Sequence, residues 1–306
     1  MSDRAAGPVS EPATSASAAE PAAAPGKESV APALSAWRRI ARERTVIVGS
    51  VILLAFVLIA VLAPVLAPFE PLSLHPPLAP PSGEHPFGTD PLGHDVLSFT
   101  IWGARVSLAF AIGAALISVF VGVLIGSIPT YIGGWVDDAA SRFVELVLMI
   151  PSLFLIIAVV AIVGNDIIFA IAVVGLTIWP SNAKLMRAQV LTLKQRTYVS
   201  ASVSSGTRPL SVVIRHVVPN GMAPVIANTS LQMAHAVVLE AGLSFLGLSD
   251  PNQPSWGQLL NSAKTYLVTA PWLYIVPGVA LVLLLLALYL IGDGVGRALD
   301  PRMKAR

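Results

Sequence analysis

The chain has 306 residues, of which 55% are hydrophobic and only 12% are charged, and its formal net charge is +2. Soluble domains carry about 25% charged residues, and half that density cannot cover a water-facing surface, which argues against a soluble enzyme. The sequence has no cysteine, which excludes a disulfide framework, thiolate metal ligands and a cysteine nucleophile. The small net charge gives no indication of nucleic-acid binding. Together these features predict a polytopic membrane protein.

The first 36 residues predict a disordered tail. Residues 1–36 contain 12 Ala, 6 Ser and 5 Pro and no apolar run. Such a segment cannot bury enough apolar surface to offset the entropy lost on ordering. A cluster of four arginines follows, and the first apolar segment begins directly after it. We therefore predict that residues 37–69 form a membrane helix with a basic flank.

Six apolar segments are candidates for membrane-spanning helices, and they define an all-α fold class. The predicted spans are residues 46–69, 106–128, 143–164, 167–179, 217–246 and 272–291. The fourth is short because Pro180 interrupts it, and a break inside a bilayer implies burial against other helices or beside a water-filled cavity. Within the second span, Gly122 and Gly126 form a GxxxG step, which is typical of close helix–helix packing.

The basic residues predict the orientation of the chain in the membrane. Residues 180–220 contain six Lys or Arg and no acid, and residues 297–306 contain four Lys or Arg. Residues 70–100 contain four acids and no Lys or Arg. Six spans place both termini on the same side as the 180–220 segment. Because positive residues favour the cytoplasmic side, both termini are predicted to be cytoplasmic in a multi-pass cell-membrane protein.

The segment between the first two spans, residues 70–102, is predicted to be a proline-rich extracytoplasmic loop. Nine prolines between residues 64 and 91 favour an extended, stiff chain. His75, His85 and His94 lie in this loop with four acids, and such side chains could bind a divalent metal. Their spacings of ten and nine residues match no known site, so we predict solvated side chains and no metal.

No set of residues suggests catalysis. The sequence has no paired carboxylates, no Ser/His/Asp arrangement beyond chance and no GxxxxGK[ST] nucleotide loop. If the protein uses ATP, another chain must hydrolyse it.

The segment at residues 198–220, YVSASVSSGTRPLSVVIRHVVPN, predicts a helix–glycine–helix element. Val199 and Val203 lie at helical spacing, Gly206 can adopt the left-handed turn that ends a helix, and Pro209 suits the first turn of a second helix. The predicted apolar face of that second helix consists of Leu210, Val213, Ile214 and Val217. A projecting element of this kind can insert into a groove of another protein. The alternative is an amphipathic loop lying on the membrane surface.

Polar residues in the fifth span form a second candidate site. Asn228, Gln232 and His235 fall on one helical face, where they could line a translocation pathway. The alternative is hydrogen bonding between helices, or a buried and satisfied histidine. Glu240 lies 21 residues beyond Pro219, which at about 1.5 Å per residue places it roughly 30 Å away, at the outer boundary. This favours an outer-gate or packing role over proton coupling.

The segment at residues 198–220 resembles the EAA loop of importer-type ABC permeases, whose pattern is EAAxxxG, nine residues and HxxP. Gly206, His216 and Pro219 match that pattern, and Ala201 matches its first alanine, whereas Ser200 replaces the glutamate. Other segments resemble the C-type permease of the dipeptide, oligopeptide and nickel branch, although His94 stands where that branch usually has Arg. They are FGTDPLGHDVLS at residues 87–98, GARVSL at 103–108, YIGGWVDD at 131–138, LEAGLSFLGL at 239–248, PSWGQLL at 254–260 and GDGVGRALDPR at 292–302.

The resemblance implies a type I ABC importer permease fold, with residues 103–296 as the permease core, and import of dipeptides or oligopeptides. It implies four kinds of partner: a homologous second permease, two cytoplasmic ABC ATPases, an extracytoplasmic substrate-binding protein and the lipid bilayer. ATP and Mg²⁺ would bind to the ATPases, and this chain would hold no cofactor. The residues it assigns to ATPase coupling are Tyr198, Ser200, Ala201, Gly206, His216 and Pro219. With serine at position 200, either the ATPase carries a compensating change or coupling is weaker.

Several alternatives remain open from the sequence. Nickel and glutathione-like importers have the same type of subunit. A secondary transporter driven by an ion gradient would require a midplane carboxylate or interrupted helices in internal repeats, which we do not find. A third class is a non-transporting structural or sensory membrane subunit, to which the departure at Ser200 gives slight support.

Overall fold

The computed structural model describes residues 39–299, and the regular secondary structure in that range is helical, apart from one isolated bridge between Thr89 and Asp95. A π-helical turn spans Val213–Val217. The predicted disordered tail (1–36) and most of the basic C-terminal tail lie outside the described residues. The helices are α1 (Arg44–Val61), α2 (Ala63–Leu66), α3 (Val96–Ile132), α4 (Gly134–Met149), α5 (Ser152–Val163), α6 (Ile167–Leu193), α7 (Thr197–Ser204), α8 (Pro209–Val212), α9 (Val218–Phe245), α10 (Trp256–Ala263) and α11 (Trp272–Leu299).

Within residues 39–299, five helical segments are long and apolar enough to cross a membrane: α1, α3, α6, α8–α9 and α11. The pair α4 and α5 passes the same test only when taken together, and its axis bends by 83°. Asp137 in α4 binds Arg187 near the end of α6, whereas α5 is followed by the start of α6. Residues 167 and 187 lie about 30 Å apart along a helix that rises about 1.5 Å per residue. The start of α4 and the end of α5 thus lie at opposite ends of α6. The bent pair therefore crosses the membrane once, and the number of crossings is the predicted six.

The third predicted span, residues 143–164, is not a single helix. It breaks at Ile150, which has the extended backbone angles φ −86° and ψ 121°. Pro151 follows, and its ring clashes with a helical conformation of the preceding residue. The sequence prediction missed this break because the segment is apolar on both sides of it.

The fourth predicted span was wrong at its C-terminal end. Pro180 does not interrupt the helix, because α6 continues through it to Leu193. A proline removes one backbone hydrogen bond and usually bends a helix without ending it when the surrounding packing is favourable. Here Pro180 and Ala183 are both buried, and Ala183 packs against α3.

The small residues of α3 bring its backbone into contact with α6. A Cβ atom added to Gly126 would lie 2.4 Å from the carbonyl oxygen of Ala183, and one added to Gly122 would lie 2.7 Å from Cβ of Asn182. Asn182 is fully buried and donates to the hydroxyl of Ser118 on α3 at 3.0 Å. The predicted role of the GxxxG step in close packing is confirmed, and its partner is α6.

The predicted extended loop at residues 70–102 is instead a compact cap that ends where α3 begins at Val96. The backbone folds back on itself, since the amide of His75 donates to the carbonyl of Gly93 at 2.9 Å and that of Thr89 donates to Ala79 at 3.0 Å. Short turns between the prolines, rather than an extended chain, produce this shape. The boundary at residue 102 was therefore too late, because α3 already contains residues 96–102.

The prediction of solvated side chains in this cap holds for Glu70 and Glu84, which are exposed, but it was wrong for two histidines and two acids. His85 Nδ1 lies 2.9 Å from a carboxylate oxygen of Asp95, and His94 Nδ1 lies 2.9 Å from one of Asp90. All four side chains are buried. Pairing removes the main penalty for burying polar groups, which spacing alone could not reveal. Over residues 39–299, no three His, Cys, Asp or Glu side chains are grouped as a metal site.

Asp95 supports the start of α3, and its removal is expected to destabilise the cap. Its carboxylate accepts from both the amide and the hydroxyl of Ser98 at 2.8 Å, as well as from His85. We expect Asp95→Ala to lower the free energy of unfolding by about 2 kcal/mol, because the helix loses its N-cap and His85 loses its partner. Thermal unfolding of the purified protein measures this. The exposed Glu84→Ala is the control, and equal unfolding temperatures for the two variants would contradict the assignment.

Glu240 is fully buried between α3 and α9. Its carboxyl group accepts from the hydroxyl of Ser244 at 2.8 Å and lies 3.4 Å from that of Ser107. These contacts agree with the packing role among the two roles predicted for Glu240.

The two ends of the described chain lie together. Arg297 near the end of α11 donates to the carboxylate of Glu43 at 3.1 Å and to the hydroxyl of Thr45 at the start of α1 at 2.6 Å. The predicted placement of both ends on one side of the bundle agrees with this contact.

Candidate coupling loop and translocation cavity

We define the coupling loop as residues 198–219, and its central turn is built around Gly206. Gly206 has a φ of +79°, in the left-handed region that favours glycine. Its amide donates to the carbonyl of Val203 at 2.9 Å, and that of Thr207 donates to Ser202 at 3.2 Å. This pair of bonds is the Schellman motif that ends α7. Pro209 then occupies the first turn of α8, so the predicted helix–glycine–helix element is present.

The coupling loop is fixed to the membrane helices by buried valines. Val199 of α7 and Val212 of α8 are at most 2% exposed and belong to one apolar cluster with Met186 and Val190 of α6. Val217, at the end of the π-helical turn, joins the same cluster and leads directly into α9. A displacement of the loop must therefore displace α6 and α9 or disrupt this cluster.

The predicted apolar face of the second helix divides into two. Val213 and Val217 are buried, whereas Leu210 and Ile214 are more than half exposed. The prediction assumed an α-helical register, but the π-helical turn places more residues in each turn and so changes which side chains align.

The remaining predicted coupling residues are all accessible on the loop. Tyr198, Ser200, Ala201, Gly206 and Pro219 are exposed, and His216 is half-buried. Because the side chain at position 200 faces outward, the effect of having serine there depends on the partner that the loop meets.

The second candidate site is a cavity of about 290 Å³ bounded by α6, α9 and the break between α4 and α5. We call it the translocation cavity. Gln232 and His235 line it, as the sequence predicted. The sequence did not identify its other polar residues, Ser152, Thr177 and Ser181. The sequence did contain one signal that could have located this cavity. Two prolines interrupt apolar segments, Pro151 and Pro180, and both line the cavity.

The three residues of the predicted polar stripe have different environments. Asn228 donates to Oδ1 of Asn182 at 2.8 Å and so extends the chain of hydrogen bonds from α9 through α6 to α3. Gln232 donates to the carbonyl of Ile178 at 3.2 Å and also lines the cavity. His235 is exposed at the cavity surface. The alternative of hydrogen bonding between helices therefore holds for Asn228 and Gln232, whereas the alternative of a buried histidine was wrong for His235. The role in translocation stays a prediction.

Residues 118–305 match the family model described as binding-protein-dependent transport system inner membrane component. The chain belongs to this family of transport permeases. Residues 32–81 match a second model, the N-terminal transmembrane domain of oligopeptide transport permease C. The first match includes both the coupling loop and the translocation cavity, which places both candidate sites in the part of the permease that the family shares.

Relatives of the permease match it over most of their length. A dipeptide transport system permease protein of Alkalihalophilus pseudofirmus is 34% identical over 279 residues, which are 90% of this chain and 92% of the relative. A di/tripeptide transport system permease protein of Pseudomonas aeruginosa is 35% identical, covering 93% of this chain and 97% of the relative. A glutathione transport system permease protein of Pectobacterium atrosepticum is 33% identical, covering 88% and 91%.

The fold of the permease also occurs in a solved structure. A chain of the MetNI methionine ABC transporter, in an inward-facing conformation, superimposes with a TM-score of 0.51 at 21% identity. The match covers 66% of the permease and 96% of that chain. The permease therefore has the fold of a type I ABC importer permease, as predicted.

Proposed function

We propose that this permease is a membrane subunit of an ATP-driven, binding-protein-dependent importer of dipeptides and oligopeptides. The observation that carries the proposal is that α6 and α9 form two walls of the translocation cavity and also hold the coupling loop through the cluster around Met186 and Val199. A single rigid connection thus joins the proposed ATPase contact to the proposed pathway. Full-length relatives named for dipeptide and di/tripeptide transport support the cargo.

The proposed complex contains a homologous second permease, two ATPases and a substrate-binding protein. The ATPases bind ATP and Mg²⁺ and receive the coupling loop, whose exposed residues Tyr198, Leu210 and Ile214 offer an apolar surface. When the ATPases close, the loop moves with α6 and α9, and the cavity opens toward the binding protein. ATP hydrolysis then allows the two ATPases to separate, which returns the cavity to its starting state. This chain contributes no catalytic residue to that cycle.

We propose a cytoplasmic location for both termini and for the coupling loop. The proposal rests on the positive-inside distribution of Lys and Arg and on the Arg297–Glu43 contact, which joins the two ends of the described chain. The cap at residues 70–95 then faces outward, where a substrate-binding protein would approach.

A peptide fits the translocation cavity better than a nickel ion does. Of the described residues that line it, none is an acid, and His235 is the one imidazole. Transition metals in proteins need several nitrogen, sulfur or carboxylate ligands, whereas hydroxyl and amide groups suit a peptide. Glutathione is itself a tripeptide, so the relative of that name makes it the second candidate cargo.

The proposed function is tested by measuring ATPase activity of the purified complex in proteoliposomes. Binding protein loaded with dialanine, a longer alanine peptide, glutathione or Ni²⁺ is titrated separately. We expect several-fold stimulation by the peptide-loaded forms. Stimulation by glutathione or Ni²⁺ alone would replace the proposed cargo. Absence of a copurifying ATPase, with no stimulation by any ligand, would instead support a structural or sensory subunit.

A further inference from the structure

Asp137 of α4 and Arg187 of α6 form a bidentate ion pair. Nε of Arg187 donates to Oδ1 of Asp137 and Nη2 donates to Oδ2, each at 2.9 Å. Asp137 is only 8% exposed. Two parallel bonds fix the relative orientation of the two side chains as well as their distance. Because loss of either partner would leave a charge unpaired in a poorly solvated position, the pair holds α4 and α6 together at this point.

The ion pair bridges a gap between the two helices. A cavity of about 280 Å³ lies between α4 and α6, and Asp137 and Arg187 are among the residues that line it. A second contact between the helices is apolar, where Val144 of α4 packs with Trp179 and Ala183 of α6. A helix held at one point can turn about that point, whereas two points fix its direction. The ion pair supplies the second point.

The chain enters α4 through a turn with little packing around it. Gly133 and Gly134 have φ values of +77° and +60°, and a Cβ added to either would have no heavy atom within 4 Å. Thr130 of α3 donates to Oδ1 of Asp137 at 2.9 Å, but this bond closes the turn between consecutive helices and does not reach α6. At its other end α4 stops at the break. It is therefore a separate segment whose first half is positioned on α6 by Arg187.

The two partners of the ion pair belong to elements that carry the two candidate sites. Arg187 follows Met186, which packs in one cluster with Val199 of the coupling loop. Leu148, near the end of α4, lines the translocation cavity. Asp137 and Leu148 are 11 positions apart, which is about 16 Å along a helix that rises about 1.5 Å per residue. A displacement of α6 by the coupling loop can thus reach this wall of the cavity through Arg187.

We propose that Arg187 and Asp137 are positioning residues for translocation, which transmit movement of the coupling loop to the α4 wall of the translocation cavity. The proposal rests on the proposed function, because there the ATPases move the loop. If α6 moved while α4 stayed in place, the pair would separate and leave the carboxylate of Asp137 unpaired. α4 therefore follows α6. Without the ion pair α6 still moves, but α4 turns about the contact of Val144 and the cavity wall lags behind.

The proposal is tested by measuring dipeptide uptake per ATP hydrolysed, in proteoliposomes that contain the complete importer and peptide-loaded binding protein. We expect Arg187→Gln to lower this ratio roughly tenfold, the factor that corresponds to one lost hydrogen bond between charged groups. Arg187→Lys, which keeps the charge and one bond, should give an intermediate ratio. A purely structural role would reduce the amount of folded complex, which lowers uptake and ATP hydrolysis together and leaves the ratio unchanged.

Lys184→Gln is the matched control. Lys184 lies one turn before Arg187 and lines the same 280 Å³ cavity, but it forms no ion pair within residues 39–299. Its replacement should leave the ratio unchanged. Asp137→Asn should lower the ratio as much as Arg187→Gln does. The two changes together should lower it no further, because both remove the same interaction.

A second measurement leaves the ion pair intact. The chain has no cysteine, so a thiol introduced as Leu148→Cys is the only one in this subunit. Leu148 is half-exposed at the cavity, where a water-soluble maleimide can react with the thiol. We expect its labelling rate to differ several-fold between the nucleotide-free and the vanadate-trapped complex. Adding Arg187→Gln should abolish that difference.

An unchanged ratio in a folded Arg187→Gln complex would overturn the proposal. So would a labelling rate of Leu148→Cys that does not respond to nucleotide in a transporting complex, and this result is decisive even where Arg187→Gln fails to fold. An equal effect of Lys184→Gln would also overturn it, because general loss of positive charge would then explain both. Absence of uptake and of ATPase stimulation in the unmodified complex would overturn the importer function and this proposal together.

Discussion

Gly126→Val is expected to prevent the permease from folding, whereas the same substitution at Gly278 is expected to be tolerated. A Cβ at Gly126 would lie 2.4 Å from the carbonyl oxygen of Ala183 and 2.9 Å from Cβ of Met186. One of these atoms is backbone and the other lies at the root of its side chain, so neither can rotate away. The α3–α6 contact would have to separate, which lowers the free energy of unfolding by roughly 3 kcal/mol or more.

The comparison with Gly278 isolates this packing effect. Gly278 lies inside α11, and a Cβ there would have no heavy atom within 4 Å. Both variants add the same side chain to a membrane helix. The yield of monodisperse permease on size exclusion and its thermal unfolding temperature provide the measurement. Similar values for the two variants would show that α3 and α6 can separate without loss of the fold.

Gly206→Val is expected to reduce peptide-stimulated ATPase activity and transport at least tenfold without preventing the permease from folding. Gly206 has a φ of +79°, where an L-residue is strained by about 1–2 kcal/mol and a β-branched residue by more. A Cβ added to Gly206 would have no heavy atom within 4 Å, so the expected effect comes from backbone strain and not from a steric clash. The turn would open and change the angle between α7 and α8.

Gly206→Asn is the control for this prediction, because asparagine tolerates the left-handed conformation better than other non-glycine residues. We expect it to retain most of the coupled activity. Uptake of a labelled dipeptide and ATPase activity should be measured on the same preparation for both variants. Full coupling in Gly206→Val would mean that the turn geometry is not needed, and the loop would then not act as a rigid connection.

Much of this architecture could be predicted from local properties of the sequence. Six apolar segments indicated six crossings, because the length of an apolar run is fixed by the thickness of the bilayer. The turn at Gly206 and the new helix at Pro209 were also predictable, since each depends on the backbone freedom of one residue. The GxxxG step at Gly122 and Gly126 predicted a close contact, although not its partner.

The two prolines in apolar segments show where local reasoning fails. Pro151 ends a helix and Pro180 does not, although each follows a run of apolar residues. The buried contact of Ala183 with α3 holds α6 together beyond Pro180, whereas Pro151 is exposed. The energy of this contact comes from residues more than 50 positions away in the chain, so no window around the proline contains it.

For the candidate sites, too, local sequence properties determined some features and long-range contacts determined the others. The order of residues along the chain was enough to place Asn228, Gln232 and His235 on one helical face, because the period of a helix is fixed by its backbone. Their different surroundings came from the folded arrangement, in which Asn228 binds Asn182, Gln232 keeps a free acceptor and His235 faces a cavity. Folding also paired His85 with Asp95 in the cap at residues 70–95. Hydrogen bonds between distant segments depend on where the chain folds back, and that is set by packing across the whole molecule.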